Sequence, residues 1–379
     1  MPVNLAKKNR DIEVLRCIAI VFTIFQHISL SIPNNQWWNE TIGNHLNLWT
    51  GVDLFFVISG FVITRTLLPL YSDSDKYPDK KKVLYEFWLK RIFRLLPTAW
   101  LWLLLPLLFS AWTQSLPLSQ VFYGALAGIL QLSNLYFAHC TDTHTLFTEC
   151  NSIFVSGHYW SLSLEEQFYI VLPLLLLLVP SKRFIFLGIF TLVLIFFWNR
   201  PIYSYGWYFR IDGFLWGVLL SLFAHNYSKM YSYMRPKLLD NALIRIPVCL
   251  FFVVLLGLAP NIPLLSSVAT IAIICAVLVL MASYNRGYTF GSSMFSGAMV
   301  AIGARSYSLY VIHVPVFFFT SSTMGRITAA SDNIALINIL SFVVSIVLLV
   351  SLTELNYRYI EIPIRDKGRT IAKEIARSD

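Results

Sequence analysis

The chain has 379 residues, 57% hydrophobic and 13% charged, with a mean hydropathy of +0.64 and a formal net charge of +9 at pH 7. Soluble domains carry about 25% charged residues, so this composition excludes a soluble globular protein and indicates an integral membrane protein. The basic excess does not point to nucleic acid, because lysines and arginines sit at the ends of apolar segments rather than in one patch interleaved with aromatics. No polar stretch is long enough for a second domain, so residues 1–379 read as one unit with a core over 10–366.

Spanning-length apolar segments are expected at about 12–32, 51–70, 95–112, 165–180, 184–199, 208–224, 246–259, 264–283, 305–322 and 334–355. The expected fold is therefore an all-α membrane protein of about ten transmembrane helices with both termini cytoplasmic. In that register 26 Lys and Arg residues, including Lys7, Lys8 and Lys76, lie at cytoplasmic ends, and only Arg200, Arg210 and Arg326 lie outside. The first segment follows a basic lead but no small-residue cleavage site, which reads as an uncleaved span.

That first segment, CIAIVFTIFQHISLSI, is entered through Arg16 and carries His27 near its far end. Eleven positions at about 100° each return to within roughly 20° of the same helix face, about 16 Å along the axis. Ionisable groups in a span normally face a cavity or a partner; a snorkelling arginine and a helix-bonded histidine are the structural alternatives. Next, GVDLFFVISGF places Asp53 at the start of an apolar helix, either as a cap or as a partner for His27 or Arg16. The stretch KKKVLYEFWLKRIFRLLP is an amphipathic cytoplasmic segment with Arg91 and Arg94 on one face. Paired guanidinium forks suit a phosphorylated ligand, and anionic lipid headgroups would suit them equally.

Residues 119–137 break the alternation of sides and read as a re-entrant or surface helix. Cys140 and Cys150 follow in a loop placed outside, where a disulfide and two free thiols are equally compatible with the spacing. The stretch HYWSLSLEEQF then places His158 and Trp160 ahead of a helix with Ser163 as N-cap and Glu166 as its capping-box partner. Glu165 is left to orient or deprotonate a histidine, with Trp160 as an aromatic platform beside it. Near the end, SYSLYVIH sets Ser308, Tyr310 and His313 in an apolar helix, as helix-to-helix glue or as part of a site. No metal-ligand cluster or phosphate-binding glycine loop is evident.

Taken in order, the Arg16 to His27 spacing, GVDLFFVISGF, the Arg91 and Arg94 pair, HYWSLSLEEQF, SYSLYVIH and IEIPIRD resemble the acyltransferase 3 family of integral membrane acyltransferases. The resemblance covers residues 10 to about 366. It implies transfer of an acyl group, most often acetyl, from a cytoplasmic thioester to a sugar hydroxyl on the far side. The acceptors so implied are O-antigen, capsule, exopolysaccharide or lipid-linked glycans of a bacterial plasma (inner) membrane. The chain departs from the family pattern at Tyr159, at Glu13 and Val14, and at Ile312 and Val314. Some relatives carry an esterase-like domain after the last helix, which is not expected here.

The expected reaction is O-acyl transfer from acetyl-CoA, with a glycolipid flippase as the alternative. His27, Glu165 and Asp53 are the expected catalytic residues. Arg16, Arg91 and Arg94 lie where donor phosphates would arrive, and His27 lies about a pantetheine arm deeper. His158, Trp160, Ser308, Tyr310 and His313 are expected to line the acceptor side. No metal is expected.

Overall fold

The computed structural model describes residues 9–33, 35–43, 47–71, 79–262, 267–290, 294–327 and 333–377. Lys7, Lys8, Lys76 and the start of the segment expected at 264–283 lie outside them. The described residues contain no strand. Their main helices are α1 Arg10–His27, α2 Gly51–Leu67, α3 Lys80–Thr113, α4 Leu118–Ile129, α5 Ser133–Asp142, α6 Tyr159–Leu178 and α7 Ser181–Phe196. The second half adds α8 Asp212–Asn226, α9 Ala242–Leu258, α10 Ser267–Ser283, α11 Ser296–Ala304, α12 Ser306–Ile327, α13 Ile334–Asn356 and α14 Ile362–Arg377.

Among the described residues six helices are long and apolar enough to cross a membrane, those built on α1, α2, α3, α6, α9 and α13. The α11 and α12 pair, bent by 70° at Arg305, makes a seventh if it is one span. All ten segments expected to cross are helical in their described residues, but α7, α8 and α10 have only 16, 15 and 17 residues there. At about 1.5 Å per residue they fall short of a 30 Å hydrocarbon layer. Among the described residues, length and composition thus support six crossings, or seven with the bent pair, of the ten expected.

Three further expectations change. The basic stretch from Lys80 and the apolar stretch from Leu95 form one 34-residue helix, which runs through Pro97 and Pro106. The segment expected at 119–137 is two short helices broken at Gln131, whose φ is 57°. The helix expected to start at Ser163 begins four residues earlier, so Ser163 is no cap; its hydroxyl instead accepts from the Ser133 amide at 3.1 Å. Cys140 and Cys150 form a disulfide that closes the loop between α5 and α6.

The bundle is organised around α2. Its spanning window is 67% buried, against 22% for α9 and for α13, which present apolar side chains outward. Without a hydrophobic force to separate helices from lipid, close association in a membrane depends on small residues that let backbones touch. A Cβ at Gly60 would stand 2.3 Å from the carbonyl oxygen of Phe214, and one at Gly217 would stand 2.2 Å from that of Val57. These two positions seat α8 directly on α2.

A buried polar chain ties the end of the bundle together. Trp102 of α3 donates to Asn356 at 3.1 Å, Asn356 donates to Ser308 at 2.8 Å, and Ser308 donates to Glu361 at 2.6 Å. The motifs SYSLYVIH and IEIPIRD are thereby joined through one hydrogen bond.

Gly217→Val should drive its new methyls into the Val57 carbonyl, where no flexible side chain can yield, and cost about 1–3 kcal/mol or more. Melting and size-exclusion of detergent-solubilised protein should show this loss. Gly297→Ala, whose Cβ meets nothing within 4 Å, should leave both unchanged.

Candidate active site

Four helices converge on a narrow cavity between α2, α3, α6 and α12, with Arg16 of α1 at one end. Its basic end is lined by Arg16, Arg91 and Arg94, and its other end by Ser161 and Tyr310. Two of these arginines are held in place. Glu13, one of the departures from the family pattern, is buried and pairs with Arg16 at 2.7 Å across one helical turn. Arg91 lies over the rings of Phe87 and Tyr169, at 5.6 and 5.2 Å. The cavity thus brings together the three arginines that the sequence places apart.

Glu165 lines this cavity, where Ser59 and Tyr169 both donate hydrogen bonds to its Oε1. It was expected beside a histidine, and the structure ties it instead to hydroxyl groups among the arginines. The reason is register: with α6 starting at Tyr159, position 165 points toward α2 while His158 points toward α12.

The histidines meet just past the cavity's Tyr310 end. The ring centroids of His27 and His313 are 5.0 Å apart, and those of His158 and His313 are 5.2 Å apart. His27 Nδ1 is 2.9 Å from the Thr23 carbonyl and 3.2 Å from His313 Nε2, and His313 Nδ1 is 2.7 Å from the Tyr310 carbonyl. A carbonyl oxygen only accepts, so both Nδ1 atoms carry protons. His313 Nε2 is then an acceptor facing His27 Nδ1, and His27 Nε2 keeps a lone pair. His27 retains exposure, whereas His158 and His313 are buried.

Tyr310 couples the two ends. It lines the cavity, hydrogen-bonds with Ser161, and donates to the His158 carbonyl at 3.0 Å. Its own carbonyl holds His313, one helical turn further along. Ser308, expected on the acceptor side, is committed to Asn356 and Glu361 instead.

A second charged cluster was missed as a site by sequence reasoning. Arg210 is 1% exposed, with its guanidinium 4.6, 4.9 and 4.2 Å from the rings of Trp49, Trp160 and Trp207. Asp53 lies 3.3 Å from Arg210 Nε, and next to this pair Arg200 binds Asp212 through two hydrogen bonds of 2.6 and 2.5 Å. Asp53 is thus a partner of Arg210, not of His27 or Arg16, and Trp160 is a buried wall of the Arg210 cage rather than an open platform. The available signal was the stretch GWYFRIDG, which sets Arg210 and Asp212 among aromatics on the side where cations are scarce.

Among the described residues no group of three His, Cys, Asp or Glu side chains is arranged to hold a metal ion.

A family profile described as an acyltransferase domain matches residues 9–353. The chain is 27% identical over 379 residues to O-acetyltransferase OatA of Staphylococcus aureus strain NCTC 8325, covering 94% of this chain and 57% of that protein. It is 31% identical over 384 residues, with the same coverage, to SACOL0978 of strain COL, which is provisionally named an O-acetyltransferase. The chain therefore spans little more than half the length of these curated relatives. No solved structure matches it.

Asp53→Asn should leave the Arg210 charge buried without a counter-charge, a loss of about 3–5 kcal/mol. The melting temperature of the purified protein should fall accordingly, and Asp53→Leu with Arg210→Met should recover a large part of it.

Proposed function

The chain belongs to the integral membrane acyltransferase family whose profile it matches, and on that premise we propose that it transfers an acetyl group from acetyl-CoA to a hydroxyl of a glycan or lipid-linked sugar. The observation that carries this reading is the arrangement of the cavity, lined by three arginines and by Tyr310, whose own carbonyl holds His313 against His27. Support for O-transfer comes from the relatives, both named for O-acetyl transfer. In this reading the arginine end faces the cytoplasm and the histidine end the outer side, which agrees with the cation distribution expected from the sequence.

The donor's phosphates bind Arg16, Arg91 and Arg94, whose planar forks suit two phosphate oxygens at once. The pantetheine arm lies along the cavity, a path of the same order as the 16 Å between Arg16 and His27. His27 Nε2 takes the proton from the acceptor hydroxyl as its oxygen attacks the thioester carbonyl. The carbon–sulfur bond breaks, the ester forms, and the CoA thiolate leaves with the proton from His27. The Thr23 carbonyl fixes the tautomer on which this depends by accepting from His27 Nδ1, and His313 Nε2 stands against the same N–H and orients the ring. Glu165 acts on the donor side, where it balances part of the arginine charge and orients Ser59 and Tyr169.

Purified protein should move labelled acetyl from acetyl-CoA to an acceptor extract from the host. His27→Ala should abolish transfer with donor affinity retained. His313→Gln should lower the maximal rate by about 10²–10⁴, the range of general-base contributions, with little change in the Michaelis constant for acetyl-CoA. The opposite split is expected of Arg91→Ala with Arg94→Ala, a large rise in that Michaelis constant and a smaller fall in rate. Normal turnover in His27→Ala would overturn the reading.

A further inference from the structure

A second cavity lies on the other side of Arg91 and Arg94. It is lined by those two residues, Lys90, Arg365 and Arg369, with Glu86 as its only acidic lining residue among those described. Five cations against one carboxylate is a large local excess. Glu86 pairs with Lys90, so none of the four arginines has a carboxylate of its own among the described lining residues; like charges four apart on a helix also repel, and Arg365 and Arg369 stand in that relation on α14. Asp366 is shared between them, 3.3 Å from each.

The backbone brings these residues together deliberately close. A Cβ at Gly368 would stand 2.3 Å from Cβ of Phe93, so the glycine lets α14 press onto α3 between Arg91 and Arg94. Gly368 adjoins Arg369 in the chain, and Arg365 lies one turn before it. The close contact therefore delivers both α14 arginines to the same cleft as the Arg91 and Arg94 pair. Arg94 Nε is buried with no hydrogen-bond partner, a donor left open between the two cavities.

Resting on the donor reading above, we propose that this cleft is a second phosphate subsite, in which Arg365 and Arg369 bind the 3′-phosphate of a nucleotide whose diphosphate is held by Arg91 and Arg94. A monoester phosphate carries close to two charges at neutral pH and offers three strong acceptors, which matches paired guanidinium groups. The ligand class is thus a 3′-phosphorylated adenosine diphosphate carrier, as in CoA. Acyl donors that end in a bare pantetheine phosphate lack the group the cleft is built to hold. An anionic lipid headgroup presents the same phosphate chemistry, and the test separates the two sources.

Binding of CoA and of 3′-dephospho-CoA is measured by calorimetry on full-length protein in phosphatidylcholine nanodiscs, with and without phosphatidylglycerol. Wild type should bind CoA about tenfold or more tightly than dephospho-CoA. Arg365→Gln with Arg369→Gln should bring the two affinities to within about twofold by weakening CoA alone, and Arg365→Lys with Arg369→Lys should restore part of the difference. Equal binding of both ligands by wild type would overturn the subsite while leaving the donor reading intact. Binding of neither would overturn the donor reading itself. A CoA preference untouched by the glutamine variant, together with a phosphatidylglycerol-dependent melting temperature lost in that variant, would assign the arginines to lipid and overturn the subsite.

Discussion

The cost of placing a charge where water cannot reach it governs most of what this structure does. In an interior wrapped by hydrocarbon, an ionised side chain must find a counter-charge, a ring of donors or an aqueous cavity. Asp53 finds Arg210, Arg200 finds Asp212, Arg16 finds Glu13, and Glu165 finds the hydroxyls of Ser59 and Tyr169. Each pair joins two different positions in the fold or stiffens one turn of a helix. The polar groups therefore do the specifying that a uniformly apolar interior cannot do, since lipid and side chains are equally good neighbours for leucine.

The same constraint explains why the arginine cavity and the histidine cluster are chemically separate though only a helical turn divides them. On one side of Tyr310 the lining is charged, with Glu165 among three arginines. On the other, the three rings are held by main-chain carbonyls of Thr23, Tyr310 and Val311 rather than by any carboxylate. A carbonyl fixes a tautomer without adding charge. His27 is thus oriented by neutral groups, an arrangement that keeps a lone pair on Nε2 and does not favour the imidazolium as a carboxylate partner would.

The Arg210 cage stands apart from both. Three indole faces and one carboxylate surround a guanidinium at the level where α2 and α8 begin, and both helices start with an aspartate in the first turn. Cation–π contacts are strongest when the cation is stripped of water, so the cage suits a position that must stay dry. Its effect is mechanical: it holds the N-termini of the two most closely packed helices, and with them the wall of the cavity that carries Ser59.

Much of this was legible in the residues taken singly. Membrane character, the helical class, the helical segments, and the assignment of Arg16, Arg91 and Arg94 to one end with His27 deeper follow from hydropathy, from helical periodicity and from the family resemblance, all of which are local or pairwise in sequence, whereas the meeting of His27 with His313 does not. What the tertiary structure decided were the partners. Sequence spacing constrains which face of its own helix a side chain occupies, but it does not say which helix packs there. Asp53 was compatible with a cap, with His27 and with Arg16, and only the contact of Gly60 and Gly217 across α2 and α8 brings it to Arg210. Likewise Glu165 met hydroxyls rather than a histidine because α6 starts at Tyr159, and Ser308 met Glu361 because α12 and α13 converge. Helix lengths were decided in the same way, since α3 continues through Pro97 where packing against its neighbours outweighs the local tendency to break.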